Sequence, residues 1–288
     1  MARLLRSVLL IAVCIGLIAF PAKADDPHIK DMRGLMLNLR RPIFADRRVR
    51  EALLIAFDFE WTNRVLLDGR YRRIASYFPN SALAASDRPS AGELALLDPF
   101  RAELPPEVFK TSFTPPRTDG SGDEGIRPYL RRAMAQLDAA GWVVRDGRLV
   151  DGKTSAPFAF EILLRNPEDQ RIVMPYARTL SHLGIAATVR VVNDAAYIQR
   201  RDRFDFDMIL DGWDEAALAQ PALCWGSAQA DIAGSRNYPG IKSPIVDALI
   251  AGMAAAKDHA GQLDAAHALD RVLTRGYYVI PFYYPAIP

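Results

Sequence analysis

The 288 residues carry 36 Lys and Arg against 34 Asp and Glu, a formal charge of +2, but Arg3, Arg6 and Lys23 fall within an N-terminal leader segment. Without those three the count is 33 against 34, or −1, so the mature surface has no electrostatic footprint for nucleic acid, and the clusters Arg47-Arg48-Arg50 and Arg70-Arg72-Arg73 are interrupted by acids and apolar residues. Only two cysteines occur, Cys14 inside the leader and Cys224, so an internal disulfide is excluded after export and the fold must hold by its core.

Residues 1–24 have the anatomy of a cleavable signal peptide: Arg3 and Arg6, an apolar core from Val8 to Phe20, then Pro21 and a small-x-small site at Ala22 and Ala24. That core is shorter than the roughly 20 residues needed to span a bilayer, so export rather than anchoring is expected. Residues 25–33 form a junction, and the 264 residues after Ala24 suffice for one sizeable domain or two modest ones.

Gly34 to Leu39 reads as a strand. Asp46 then caps a helix with Val49, Leu53, Ala56 and Phe57 at helical spacing, ending near Asp68-Gly69. Asp58 and Glu60 read as solvated or capping positions of that helix. Residues 76–125 hold seven prolines and read as a long connection with one short helix after Ser90. Gly120, Gly122 and Gly125 fit a nucleotide-loop pattern by letter, but they follow a Pro-rich segment instead of a strand and read as loop. A clearer helix carries Ile126, Leu130, Ala133, Met134 and Leu137 on one stripe and stops at Gly141, with Trp142 packed beside it.

Phe158 to Leu164 is a strand candidate. Asn166-Pro167-Glu168-Asp169 starts a helix that ends at Gly184, before the strand Ala186 to Val192. This is a βαβ unit and implies an α/β layer with parallel strands. Pro175 should kink or shorten its helix, because proline lacks the backbone donor. A helix over Asp194 to Arg201 leads to a third strand, Phe206 to Leu210, whose end presents Asp211-Gly212-Trp213-Asp214 to a loop, a natural ligand position. Ser243-Pro244 starts a helix with Ile245, Leu249 and Met253 on a face; another carries Leu263, Ala266, Leu269 and Leu273; Tyr277 to Tyr284 reads as a final strand.

The order of these segments resembles the periplasmic solute-binding proteins of peptide and oligopeptide ABC importers. "LNLRRPIFADRRVREALLIAFDFEWTNRVLLDG" is similar to that family's strand, Pro-Phe turn and Asp-x-x-Val-Arg-x-Ala helix, "LRRAMAQLDAAGW" to its helix ending in Ala-Gly-Trp, and "SRNYPGIKSPIVDALI" and "ALDRVLTRGYYVIPFYY" to its closing motifs. The wording of "FDFEWTNR" and "PSAGELALLDPFRAELPPEVF" resembles the family 5 branch for oligopeptide and microcin uptake. The resemblance covers nearly all of residues 34–284 and implies a lobe of the periplasmic-binding-protein type, α/β with a mixed sheet and flanking helices, incomplete relative to the family's two-lobed clamp. It further implies a peptide ligand, an inner-membrane ABC permease as partner, a periplasmic location and no cofactor. With most of the first lobe absent, a complementary lobe or self-association through unpaired terminal strands becomes a further partner expectation, since Val279, Ile280, Phe282 and Tyr283 would lack neighbours.

The family holds peptides mainly through main-chain hydrogen bonds, often with a carboxylate for the amine. In the oligopeptide branch that acid stands three residues after a Gly-Trp pair; here the position is Ala216, and Asp214 and Glu215 come earlier. The candidate ligand residues are therefore Asp211, Trp213, Asp214, Trp225, Asn237 and Tyr238, each weighed against ordinary packing, while Arg40 and Arg41 read as hinge or solvent residues. His28, His182, His259 and His267 show no metal-ligand spacing. No Ser sits in a nucleophile elbow and Cys224 has no recognisable base, so a binding protein is expected, not an enzyme. The alternatives are a split or remnant lobe acting as an interaction module and, further off, a secreted hydrolase.

Overall fold

The computed structural model describes residues 31–286. The leader reading, Cys14 and His28 lie outside the described residues.

Strand β1, Met32–Leu37, starts and ends two residues earlier than expected. Every residue in it except Arg33 is buried, as a strand packed on both faces requires. Past a Pro42–Phe44 turn, the expected single helix is two. Helix α1 covers Arg47–Ile55, with the Asp46 carboxylate accepting from the Arg48 N–H. Helix α2 covers Phe59–Leu66, with Asp58 as its own cap accepting from the Trp61 N–H. The break falls where a second Asp offers the chain a fresh N-terminus, so the capping reading of Asp58 holds at a helix start not foreseen.

Strand β2, Tyr71–Arg73, precedes the long connection, which contains α3, Ala91–Leu97, begun by a full Ser90/Glu93 capping box. Helix α4, Asp123–Ala139, follows the turn of Gly120 and Gly122. The next element was missed: Trp142–Arg145 and Arg148–Asp151 form a hairpin, β3 and β4, around Asp146-Gly147. Both turn residues have positive φ, 49° and 74°, the geometry that makes Asp-Gly a strong two-residue hairpin signal.

The βαβ unit is present: β5, Ala159–Leu164, runs parallel to β6, Ala186–Val191, across α5, Gln170–Ser181. Helix α5 is shorter than the span expected from Asn166 to Gly184, but it runs on through Pro175 and does not end there. The Thr179 hydroxyl donates to the Pro175 carbonyl at 3.1 Å. Helix α6, Asp194–Asp202, leads to β7, Met208–Trp213, displaced from the expected span so that Asp211, Gly212 and Trp213 lie within the strand. Two short helices, α7 (Glu215–Leu218) and α8 (Pro221–Trp225), and two long ones, α9 (Pro244–Ala255) and α10 (His259–Gly276), complete the helical set. The final run splits into β8, Val279–Pro281, and β9, Tyr283–Pro285.

The main sheet has the order β6-β5-β7-β1-β8, parallel from β6 to β7 and antiparallel thereafter. The closing strand is not left without neighbours. β8 pairs with β1, β9 with β2, and between them the Phe282 carbonyl accepts from the Ile74 N–H at 2.9 Å. Val279, Ile280 and Phe282 are buried.

Alternation along the strands sends side chains to two cores. Leu35, Leu37, Ile162, Leu164, Met208 and Leu210 face α1, α4 and α5; Met36, Leu163, Ile209 and Trp213 face α9 and α10.

Candidate functional site

The C-terminal ends of β5, β6 and β7 point the same way, and β7 carries the candidate residues there. Asp211 stands opposite Gly34 of β1. Its carboxylate accepts from the Tyr197 hydroxyl at 3.1 Å and the Gly212 N–H at 2.8 Å, and lies 3.6 Å from Arg201. Burial, reinforced by this carboxylate, pushes the Tyr197 phenol up. Tyr197 thus stays protonated and donating.

Asp214 differs from Asp211 in exposure. It caps α7 by accepting from the Ala217 N–H at 2.8 Å and pairs with Arg236 at 3.0 Å; its side chain is 58% exposed. The Ala217 N–H, then the Arg236 guanidinium, hold its carboxyl below the usual range. Asp214 is thus an exposed carboxylate at this edge, beside the exposed Glu215.

The aromatic candidates pack on one another. Trp213 is fully buried, donates from its indole to the Arg236 carbonyl at 2.9 Å, and stacks on Tyr238 with ring centroids 5.9 Å apart. Trp225 meets Trp213 and Phe78 edge-on at 5.7 Å and 5.4 Å. Asn237, also fully buried, donates to the Gly226 and Ile241 carbonyls and accepts from the Ile241 N–H, which ties the loop from residue 226 to 241 into one piece. Trp213, Trp225, Asn237 and Tyr238 are therefore brought together, in packing positions, with Asp214 at their margin.

Arg40 is not a solvent residue. It lies 3.6 Å from the Phe204 ring centroid and donates to the carbonyls of Ala230, Asn237 and Tyr238, and burial lowers its guanidinium to about 10. Arg41 is more exposed and pairs with Asp207 at 3.0 Å. Cys224 is buried and donates to the Ala217 carbonyl; burial pushes its thiol up to about 12, far from a reactive thiolate.

Sequence reasoning missed a groove of about 540 Å³ between α2, β2 and the 114–117 segment, away from the β7 edge. Arg64, Arg72, Arg73, Arg117 and Glu60 line it, with Phe59, Pro115 and Tyr284 as apolar walls. The signal available was the cluster Arg70-Arg72-Arg73, which the sequence reading weighed only against nucleic acid.

The family model of the bacterial extracellular solute-binding proteins, family 5, middle region, matches residues 21–231. The chain belongs to this family. The family 5 chain is 39% identical over 269 residues to the probable peptide-binding protein YejA of Agrobacterium fabrum, covering 91% of this chain and 43% of that one. It is 37% identical over 277 residues to the peptidoglycan-binding protein YepA of the same organism, covering 92% and 45%. Among solved structures it is similar to the oligopeptide-binding protein AppA of Bacillus subtilis, in complex with a nonapeptide, with a TM-score of 0.68, 20% identity, and coverage of 90% and 45%. A second is the periplasmic murein tripeptide binding protein MppA, with a TM-score of 0.63, 17% identity, and coverage of 89% and 42%. The chain spans about 45% of the length of these proteins. Fold and family are those of binding proteins.

Proposed function

We propose that this family 5 chain captures short peptides in the periplasm, after signal-directed export, and delivers them to an inner-membrane ABC permease. The observation that carries this reading is the 39% identity to a probable peptide-binding protein across 91% of the chain. Geometry supports it: the β7 end offers the exposed Asp214 carboxylate for a peptide amine, on a rigid floor of Trp213, Trp225 and Tyr238. In this reading residues 34–288 supply one jaw of the clamp, and Asp211, Trp213, Asp214, Trp225, Asn237 and Tyr238 shape its ligand edge, the buried ones from beneath.

The 37% identity to a peptidoglycan-binding protein favours a second reading in which the peptides are murein-derived. Calorimetry of the full chain against mixed short peptides and a murein tripeptide tests both. Saturable heat no tighter than about 10 μM is expected, because one jaw buries much less of a ligand than the 70–90% typical of good sites. Affinity tighter than about 10 μM would overturn the single-jaw element, and no saturable heat from any of these ligands would overturn peptide capture.

A further inference from the structure

Polar side chains along one stripe of α10 fasten the segment from Ser76 to Ser90 to that helix. Asp270 accepts from the Tyr77 and Ala85 N–H groups at 2.7 Å and 3.0 Å, Arg271 donates to the Ser86 carbonyl at 2.8 Å, and Asp264 accepts from the Ser90 hydroxyl at 2.6 Å. His267 holds the turn from Ser81 to Ala84. Its Nε2 stands 2.7 Å from the Ala82 carbonyl oxygen and its Nδ1 3.5 Å from Oε1 of Glu93, which is buried on α3. Glu93 accepts from Arg271 Nε at 2.5 Å and from the Ser90 N–H at 3.2 Å, the contacts of an ionised carboxylate. Both ring nitrogens therefore face acceptors. A neutral imidazole has one donor and one acceptor nitrogen, so in either tautomer a lone pair would point at an oxygen, whereas the imidazolium donates to both.

The charged groups on the elements packed around α10 agree with that state. α3 presents Glu93, and Asp264, Asp270 and Arg271 lie within one turn of the ring on α10 itself. Asp247 of α9 accepts from the Ser227 N–H at 2.8 Å, while Asp87 and Arg88 of the segment and Glu107 of the Pro106–Phe109 turn are exposed. The Glu93 carboxylate, helped by the Ala82 carbonyl and Asp270, holds the ring's pKa above its ordinary value against the opposing effect of burial. We propose that His267 is a proton-dependent latch, which as imidazolium ties the 81–84 turn to α10 and α3 and releases it when the ring loses its proton. A folded value above the unfolded one, near 6.5, means that the stability conferred is complete below about pH 6.5 and is lost as pH rises through the folded value. Tyr77 and Phe78 of the same segment pack edge-on against Trp225, with ring centroids 5.5 Å and 5.4 Å apart, so the latched segment adjoins the aromatic candidates. The latch does not depend on peptide capture at the β7 edge.

The test is the ring-nitrogen NMR spectrum of His267 in the full chain from about pH 5 to about pH 9, with hydrogen exchange of the Ala84 N–H, which donates to the Ser81 carbonyl at 3.2 Å. Loss of the signal in His267→Gln assigns it; where that variant does not fold, His28→Gln, His182→Gln and His259→Gln assign it by elimination. Both nitrogens should carry protons in most molecules at about pH 6.5, where a free imidazole is half protonated. Protection of Ala84, corrected for the intrinsic pH dependence of exchange, should fall several-fold at the same midpoint as the ring. His267→Gln keeps a donor for the Ala82 carbonyl but cannot titrate, and should lack that step. The latch is overturned if the ring titrates at or below about 6.5, if Ala84 shows no step, or if the step and the ring have different midpoints. A step near pH 6 that survives in His267→Gln would overturn it too, because the Asp270 carboxyl, pushed up to about 6, titrates there. Peptide heat in calorimetry alongside any of these outcomes would remove the latch and leave the functional reading standing.

Discussion

The two faces of the main sheet are held in different ways. On one face α1, α4 and α5 press regular apolar stripes, including Leu53, Leu137 and Leu180, onto Leu37, Ile162 and Leu164. On the other, α9 and α10 do the same, but the segments from 76 to 112 and from 214 to 241 are fixed by single polar side chains reaching backbone. Arg271 and Asp270 of α10 hold the first segment, and Asn237 and Arg40 the second. A helix stripe spreads its stabilisation over many contacts, whereas a loop clamp concentrates it in one residue, so the second face should fail abruptly at few positions.

The sharpest test is Arg271→Ala. Arg271 is buried, pairs with buried Glu93, and donates to the Ser86 and Asp87 carbonyls. Truncation leaves the buried Glu93 carboxylate with only the His267 ring at 3.5 Å and the Ser90 N–H at 3.2 Å, and should cost up to about 3–5 kcal/mol by urea unfolding. Adding Glu93→Gln should cost much less than the sum of the single variants, a coupling that Leu53→Ala on the other face should not show with either. Additive costs would reject the clamp.

A pH window should sharpen the same contrast. Burial pushes the Asp270 carboxyl up to about 6, although it accepts from the Tyr77 and Ala85 N–H groups. Its folded value lies above the unfolded one, near 3.9, so the folded state binds the proton more tightly. The stability this confers is present below about pH 4 and is lost as pH rises towards 6, by at most about 3 kcal/mol. Thermal unfolding of the wild type should therefore fall relative to Asp270→Asn between pH 4 and 6 and run parallel above. A flat difference would place Asp270 in an ordinary environment.

How much of this could be read from the sequence follows the same division. The stripe helices, the βαβ unit and the capped start of α1 were legible because each is written in local spacing. The β7 strand was misplaced by two residues at its start and three at its end, because Met208 to Leu210 are buried in succession and show no alternation to mark the strand's limits. The Arg40 and Arg271 clamps and the Asp270 contacts bring together residues far apart in sequence, and no periodicity records that. The β3–β4 hairpin is the opposite case: Asp146-Gly147 between Val143-Val144 and Leu149-Val150 is a local signal and was readable.

That hairpin supplies the smallest expected effect and the cleanest control. Gly147 has φ 74° and an added Cβ would meet nothing within 4 Å; Gly184 has φ 76°, but its Cβ would stand 2.6 Å from the Leu149 backbone nitrogen. The backbone penalty of a left-handed alanine is thus common to both, and only Gly184 adds a clash with β4, where the Gly184 carbonyl also accepts from the Leu149 N–H at 2.8 Å. Gly147→Ala should cost about 1 kcal/mol, the conformational part alone, while Gly184→Ala should cost several times more. Equal costs, measured by urea unfolding, would mean that β4 moves freely away from the α5 terminus and that this corner belongs to neither core.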